Sequence, residues 1–248
     1  MSVSAEKKAI RRRIWRLMDE SGVSRFPKPV VGRIPNFEGA ETAAKKLATL
    51  PEFKNARVVK VNPDSPQAPV RRETLLSGRI LVMPTPRLRE GFLLLDSRKI
   101  PRSALRKAST IRGAFRYGGS IGIDDLPRVD LVVAGSVAVS PDGGRIGKGG
   151  GYSEIEYGIL RELGLIGEET PVLTTVHDIQ VLGWVPVEEH DFSIDVIVTP
   201  KRVMRTGRKR NQPEGIIWGR VTPKMLEEMP ILKELRKKVK QGIGQTKS

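Results

Sequence analysis

A glycine-dense segment at residues 143–152 contains the residue types that could bind an anion. An apolar run at 130–139 precedes it and predicts a buried strand, while apolar residues at helical spacing predict a helix over 153–164. Between a strand and a helix start, glycines leave backbone N–H groups open to phosphate oxygens. Arg145 and Lys148 add positive charge in the same place. The segment therefore indicates a phosphate-binding loop.

Two common nucleotide-binding motifs do not match this segment. A Walker motif needs Gly-Lys followed by Ser or Thr, whereas Lys148 is followed by glycine. A dinucleotide fingerprint needs three spaced glycines, and Gly147, Gly149 and Tyr152 occupy those positions. Glycine-rich loops also serve as plain turns. Taken alone, the segment is compatible with either role.

Other residues suited to chemistry are few. The absence of cysteine excludes disulfides, thiolate catalysis and the usual zinc sites. His177 and His190 are each followed by aspartate, which suits a metal site, but orienting a turn is the stronger explanation. Lys7 and Arg11 are four residues apart and so share one side of a predicted N-terminal helix. They form either a solvated face or part of an anion site.

Helices and short apolar strands alternate along the chain. This alternation predicts an α/β sheet covered on both faces. The predicted helices are 4–20, 38–49, 70–76, 103–109 and 153–164, and the predicted strands are 57–61, 80–84, 92–95, 130–139, 171–176 and 194–199. A basic connector at 207–213 leads to a predicted strand at 215–219 and a basic helix at 223–240.

The positive charge is concentrated at the C-terminus. The formal net charge is +16, and residues 201–248 contain 14 Lys and Arg against four Asp and Glu. Such a surplus favours polyanions, RNA among them, although solubility explains it equally well. No stretch has the roughly 20 apolar residues that span a bilayer. The first residues lack a secretory pattern, so we expect a cytoplasmic protein without membrane contact.

Several segments together resemble the 5-formyltetrahydrofolate cyclo-ligase family. The matching residues keep the family's order over roughly residues 5–200: Lys7 and Arg11, the loop 145–154, Gln180, Pro186, His190-Asp191 and the run 195–199. A closer similarity, to the subgroup called methenyltetrahydrofolate synthetase domain-containing proteins, includes segments 33–37, 84–89, 135–140 and 215–218.

The resemblance implies a three-layer α/β/α sandwich with a mostly parallel central sheet at 1–200, and a basic C-terminal extension at 201–248. It implies conversion of 5-formyltetrahydrofolate, with or without a polyglutamyl tail, to 5,10-methenyltetrahydrofolate by a monomer or homodimer that uses ATP and Mg²⁺. Lys7 and Arg145 would be catalytic, and Glu154 and Asp195 would hold Mg²⁺. The implied ATP-binding residues are Lys7, Arg11, Arg145, Gly147, Lys148, Gly149, Gly150, Gly151 and Tyr152.

The chain departs from the family pattern at two adjacent positions. Ser153 replaces a tyrosine and Glu154 replaces an aspartate. Two alternatives therefore stay open: a non-catalytic nucleotide- or RNA-binding protein on a cyclo-ligase scaffold, and a ligase for another formylated or amide substrate. Glu38 and Glu41 are both candidates for the family's substrate-side glutamate, and either is equally explained as helix surface.

Overall fold

The computed structural model describes residues 2–207 and 212–245, so residues 208–211 of the predicted connector lie outside the described residues. The helices are α1 Val3–Glu20, α2 Ala40–Thr49, α3 Pro51–Asn55, α4 Ala68–Leu76, α5 Leu105–Ala108, α6 Ile111–Tyr117, α7 Tyr152–Glu162, α8 Pro223–Glu228 and α9 Pro230–Gln245. The strands are β1 Ser24–Arg25, β2 Asn36–Phe37, β3 Val58–Val61, β4 Ile80–Pro84, β5 Phe92–Asp96, β6 Gly119–Ile121, β7 Leu131–Ala134, β8 Ala138–Val139, β9 Arg145–Ile146, β10 Val172–Thr175, β11 Val196–Val198 and β12 Val203–Arg205.

Eight strands form one central sheet in the order β12-β11-β10-β7-β3-β4-β5-β6. The five strands from β11 to β4 are parallel, while β12, β5 and β6 pair antiparallel at the two edges. The chain passes from β3 outward to β4 on one side, and from β7 to β10 and β11 on the other. The strand order therefore reverses between β3 and β7, at the middle of the sheet.

Successive residues of the central strands enter different cores because strand side chains alternate between faces. In β3, Val59 packs into the core beneath α1, α2 and α4, whereas Val58 packs beneath α7 and α9. In β7, Leu131 likewise packs into the core beneath α1, α2 and α4, whereas Val132 packs into the core beneath α7 and α9. This arrangement confirms the predicted α/β fold with a mostly parallel sheet between two helical layers.

The segment after residue 200 packs against the rest of the chain. β12 extends the central sheet, and Ile216, Leu232 and Leu235 are buried in the core beneath α7 and α9. No helix within residues 2–207 and 212–245 combines the length and apolar character that a membrane crossing needs.

Three predicted elements differ from the structure. The strand predicted over 130–139 is two strands, β7 and β8, because the chain turns at 135–137 to start a hairpin with β9. The strand predicted over 215–219 is wrong, since it contains a 3₁₀ turn at Trp218–Arg220. The helix predicted over 223–240 is interrupted at Met229, because the residue before a proline disfavours helical geometry.

Candidate active site

A cavity of about 740 Å³ lies at the carboxyl ends of the central strands. In open α/β sheets this edge, at the point where strand order reverses, is where ligands bind. Residues 62–65, directly after β3, form one wall of the cavity, and the glycine loop forms another. The first turns of α1 and the segment 188–191 complete the enclosure.

The glycine loop has a backbone conformation that would be strained for residues other than glycine. Gly149 has φ +99° and Gly151 has φ +70°, both in the left-handed region that favours glycine. A Cβ at Gly149 would lie 3.2 Å from Arg11 Cζ, so a side chain there would crowd the guanidinium. Gly151 is the N-cap of α7 and supplies no capping side chain. The helix therefore starts at the cavity wall without a side chain that competes for its first N–H groups.

Arg145 is held by several contacts beneath the loop. Its guanidinium donates to Glu154 Oε1 at 2.6 Å, donates twice to the Gly135 carbonyl oxygen at 2.7 and 3.1 Å, and lies 4.6 Å from the centre of the Phe192 ring. Burial is the largest effect on the pKa of Glu154 and raises it, but the Arg145 cation, hydrogen bonds and nearby His190 together outweigh burial, so the pKa lies below its usual value. Arg145 and Glu154 therefore form a buried ion pair.

Lys7 and Lys148 also face carboxylates in this structure. Lys7 Nζ is 3.0 Å from Glu188 Oε2 and also donates to Asp191. Lys148 Nζ is 2.9 Å from Asp64 Oδ1. These lysines are near the predicted phosphate position, and an anionic ligand would have to share them with the carboxylates.

Arg11 joins the N-terminal helix to the glycine loop. Its Nε donates to the Gly147 carbonyl oxygen at 2.7 Å, across 136 positions of sequence. Within the described part of the chain, its two terminal amino groups have no hydrogen-bond partner. Burial lowers the pKa of Arg11, against the opposing effect of nearby Glu154. Arg11 therefore presents two free donors to the cavity.

A buried polar cluster lies under the loop and was not anticipated from the sequence. Lys60 Nζ donates to Glu156 Oε2 at 2.6 Å, and Asn62 Nδ2 donates to the same oxygen at 2.7 Å. Asn62 also donates to Ser153 Oγ at 3.3 Å, so the serine at the departure position is tied to β3. Burial is the main reason that the pKa of Glu156 is raised. A lysine inside an otherwise apolar strand was the available sequence signal, because lysine is rarely buried without a partner.

Asp195 does not reach the cavity. It precedes β11 and so lies at the amino end of the parallel strands, opposite the site, where its Oδ2 accepts the Val172 N–H at 2.8 Å. Asp130 does the same before β7, accepting the Val58 N–H at 2.8 Å. The structure therefore does not bring Asp195 together with Glu154 to hold Mg²⁺. In the described residues, no group of three or more His, Cys, Asp or Glu side chains is arranged to hold a metal ion.

The other candidate residues are two glutamates and the two histidines. Glu38 pairs with Arg25 and Glu41 with Arg72, and neither glutamate lines the cavity. His177 caps a 3₁₀ turn, its Nδ1 accepting the Ile179 N–H at 3.3 Å, whereas His190 lines the cavity.

Comparison with known proteins identifies the family of this chain. A family model described as the 5-formyltetrahydrofolate cyclo-ligase family matches residues 3–200. The chain belongs to this family. It is 45% identical over 241 residues to a Bos taurus methenyltetrahydrofolate synthase domain-containing protein, covering 95% of this chain and 63% of the relative. The Homo sapiens protein of the same name is 44% identical over 246 residues, covering 97% of this chain and 64% of the relative. The chain thus spans less than two thirds of these relatives.

A solved structure supports the fold. The NMR structure of Aquifex aeolicus 5,10-methenyltetrahydrofolate synthetase matches with a TM-score of 0.51 at 20% identity, covering 82% of this chain and 94% of that one. At this identity the match establishes a shared architecture. The cavity at the point where the strand order reverses is the candidate active site because of its position and its lining residues.

Proposed function

We propose that this protein converts 5-formyltetrahydrofolate to 5,10-methenyltetrahydrofolate in an ATP-dependent reaction. One observation carries the proposal: cations from two distant parts of the chain meet around one cavity at the carboxyl edge of the sheet. Lys7 and Arg11 come from α1, and Arg145 and Lys148 come from β9 and the glycine loop. Transfer of a phosphoryl group needs such positive charge and backbone donors rather than a covalent nucleophile.

The proposed reaction has two steps. The formyl oxygen attacks the terminal phosphorus of ATP, the bond to the bridging oxygen breaks, and ADP leaves. N10 of the folate then attacks the formyl carbon and loses its proton, and phosphate departs with the formyl oxygen. The second step closes the five-membered ring.

The chain's own residues have separable roles in this scheme. Arg11 offers two free donors to the phosphates, and the N–H groups of 147–151 supply uncharged ones. Arg145 anchors the loop through its hydrogen bonds to the Gly135 carbonyl oxygen and to Glu154, and its positive charge lies beneath the loop. Lys7 contacts the phosphates once Glu188 or Asp191 releases it.

The residues present fit ATP but not the predicted two-carboxylate magnesium site. The bare glycine backbone and the free Arg11 donors suit a triphosphate, whereas Glu154 is paired with Arg145 and Asp195 lies at the opposite end of the sheet. In proteins, Mg²⁺ is commonly bound by the phosphates of a substrate together with one or two carboxylates. We propose that it does so here, with Asp64, which lines the cavity and contacts Lys148 of the glycine loop, as the carboxylate.

An absorbance assay tests the proposed reaction. 5-Formyltetrahydrofolate, ATP and Mg²⁺ are mixed with the protein, and the near-ultraviolet band of the methenyl product is followed. We expect product only with ATP, and a much lower rate from Arg11→Ala, which removes the free donors from the cavity. Arg16→Ala is the matched control, since Arg16 is on the same helix, is exposed and lies outside the cavity. Absence of product with mono- and polyglutamylated substrate would rule the reaction out.

The RNA-binding alternative is based on Ser153, Glu154 and the positive charge of residues 201–248. Ile216, Met229 and Leu232 of that segment are buried in the core beneath α7 and α9. Truncation after Pro200 would remove these residues and β12 together. RNA binding therefore has to be measured on the full chain, where we expect no more than weak, salt-sensitive association.

A further inference from the structure

A buried carboxylate of α7 has one oxygen without a partner from the chain. Glu156 is 3% exposed and lines the cavity. Its Oε2 accepts hydrogen bonds from Lys60 Nζ at 2.6 Å and from Asn62 Nδ2 at 2.7 Å. Its Oε1 accepts none from residues 2–207 and 212–245, and it is not among the fully buried polar atoms of this part of the chain that lack a partner. Oε1 therefore reaches the cavity.

The contacts around Glu156 fix the direction of that oxygen. Lys60 lies on β3 and also donates to Asn62 Oδ1 at 3.2 Å, so the lysine, the amide and the carboxylate form one closed network. Both donors bind the same carboxylate oxygen and leave the other for a group outside the network. Buried polar atoms nearly always have a hydrogen-bond partner. Oε1 therefore takes its partner from whatever occupies the cavity.

A carboxylate oxygen selects a ligand group that donates a hydrogen bond. Phosphate oxygens carry negative charge and are repelled by it, so Oε1 is unsuited to the triphosphate. Each proposed substrate also has a ring with an amino group. In adenine, ring nitrogens that are acceptors flank the amino group, whereas in the pterin ring the 2-amino group is next to a second donor, N3–H. A carboxylate that faces this edge of the pterin therefore meets donors only.

We propose that Glu156 recognises the pterin ring of 5-formyltetrahydrofolate, with Oε1 accepting a hydrogen bond from the edge that carries the 2-amino group and N3–H. The inference rests on the proposed function and assigns a residue to the folate half of the site, whereas Arg11 and the glycine loop serve the phosphates. Lys60 is outside the cavity lining and is a positioning residue that holds the carboxylate in place.

Glu156→Gln tests this assignment and keeps the network intact. The amide oxygen of glutamine can accept from Lys60 and Asn62 as Oε2 does, which puts its NH₂ group at the position of Oε1, a donor against the pterin donors. Titration calorimetry uses the full chain with Mg²⁺ and a non-hydrolysable ATP analogue. We expect about tenfold weaker binding of 5-formyltetrahydrofolate, the size expected when a hydrogen bond to a charged group is lost. Affinity for the analogue itself should be unchanged.

Glu162→Gln is the matched control. Glu162 is also on α7, and its Oε2 accepts the Ile216 N–H at 3.0 Å, but it lies outside the cavity. This variant should bind both ligands as the parent does. Thermal unfolding of each variant confirms that folded proteins are compared.

The other outcomes overturn the inference. If Glu156→Gln binds 5-formyltetrahydrofolate as tightly as the parent, Glu156 does not contact the pterin, and the proposed reaction still stands on its product assay. A loss of affinity for the ATP analogue, alone or to the same extent, would assign the carboxylate to adenine or to general packing. An equal loss in Glu162→Gln would assign the effect to α7 as a whole. A parent chain that binds no 5-formyltetrahydrofolate overturns both proposals.

Discussion

Replacement of Gly149 by alanine separates the cost of backbone strain from the loss of a binding residue. Gly149 has φ +99°, and its added Cβ would lie 3.2 Å from Arg11 Cζ. The left-handed conformation costs an alanine about 1–2 kcal/mol. For a chain of this size, that corresponds to a melting temperature lower by about 2–8 °C.

The same Cβ should displace the Arg11 guanidinium by a few tenths of an ångström. That shift moves the two terminal amino groups of Arg11, which are the donors proposed to bind the phosphates, out of line with them. A hydrogen bond to a charged group contributes roughly 1.5–3 kcal/mol. Losing about half of the larger value would weaken Mg·ATP binding by about tenfold, since about 1.4 kcal/mol is a factor of ten.

Gly164→Ala is the matched control for strain. Gly164 has φ +66°, has nothing within 4 Å of its added Cβ, and follows α7 at the end away from the cavity. Thermal unfolding should show a comparable loss of stability for both variants, and calorimetry should show weaker Mg·ATP binding for Gly149→Ala alone. Equal Mg·ATP affinities in the two variants would refute the placement of Arg11 at the phosphates.

Three further predictions concern groups around the sheet. Lys60→Met leaves the Glu156 carboxylate buried without its cation and should lower the free energy of unfolding by about 3–5 kcal/mol in urea denaturation. Replacing both residues by Met should recover most of that loss, and a single variant as stable as the parent would contradict the pairing. Burial lowers the pKa of His177 below its usual 6.5, so the contribution of this neutral imidazole to stability is complete above about pH 6.5 and is lost as the pH falls below it. His177→Asn keeps a capping oxygen for the Ile179 N–H and should flatten that decline; an unchanged pH profile of the urea midpoint would argue against it. Asp195→Asn should lower the free energy of unfolding by about 1–3 kcal/mol while leaving Mg·ATP affinity unchanged, and a large loss of affinity would return Asp195 to the site.

The local sequence pattern was sufficient for most elements of the sheet and helices. The alternation of apolar strands with amphipathic helices depends on contacts between near neighbours, and it predicted the layers correctly. The elements that were predicted incorrectly lie where the secondary-structure preference of the local sequence competes with a turn or a proline. The run 130–139 is mostly apolar, yet the chain turns at 135–137 to form the hairpin of β8 and β9. Likewise, the helix predicted over 223–240 is interrupted before Pro230.

The prediction that Asp195 holds Mg²⁺ followed from the family resemblance, whereas the position of Asp195 relative to its strand argues against that role. A residue that precedes a strand in a parallel sheet lies at the amino end, whereas ligands bind at the carboxyl ends. Asp195 is the second residue of the predicted strand 194–199, so the prediction did not place it before the strand. The observed start of β11 at Val196 decides it.

By itself, the sequence determined which residues are able to bind an anion: the glycines of 147–151, the cations beside them, and the pair Lys7 and Arg11 on one helix face. These properties follow from residue type and from spacing within a single element. Only the tertiary structure decided which charge faces which, because ion pairs such as Lys60 with Glu156 and Arg220 with Glu188 join distant parts of the chain. Those pairings depend on strand order and helix packing, and among the described residues they leave the two terminal amino groups of Arg11 without a hydrogen-bond partner.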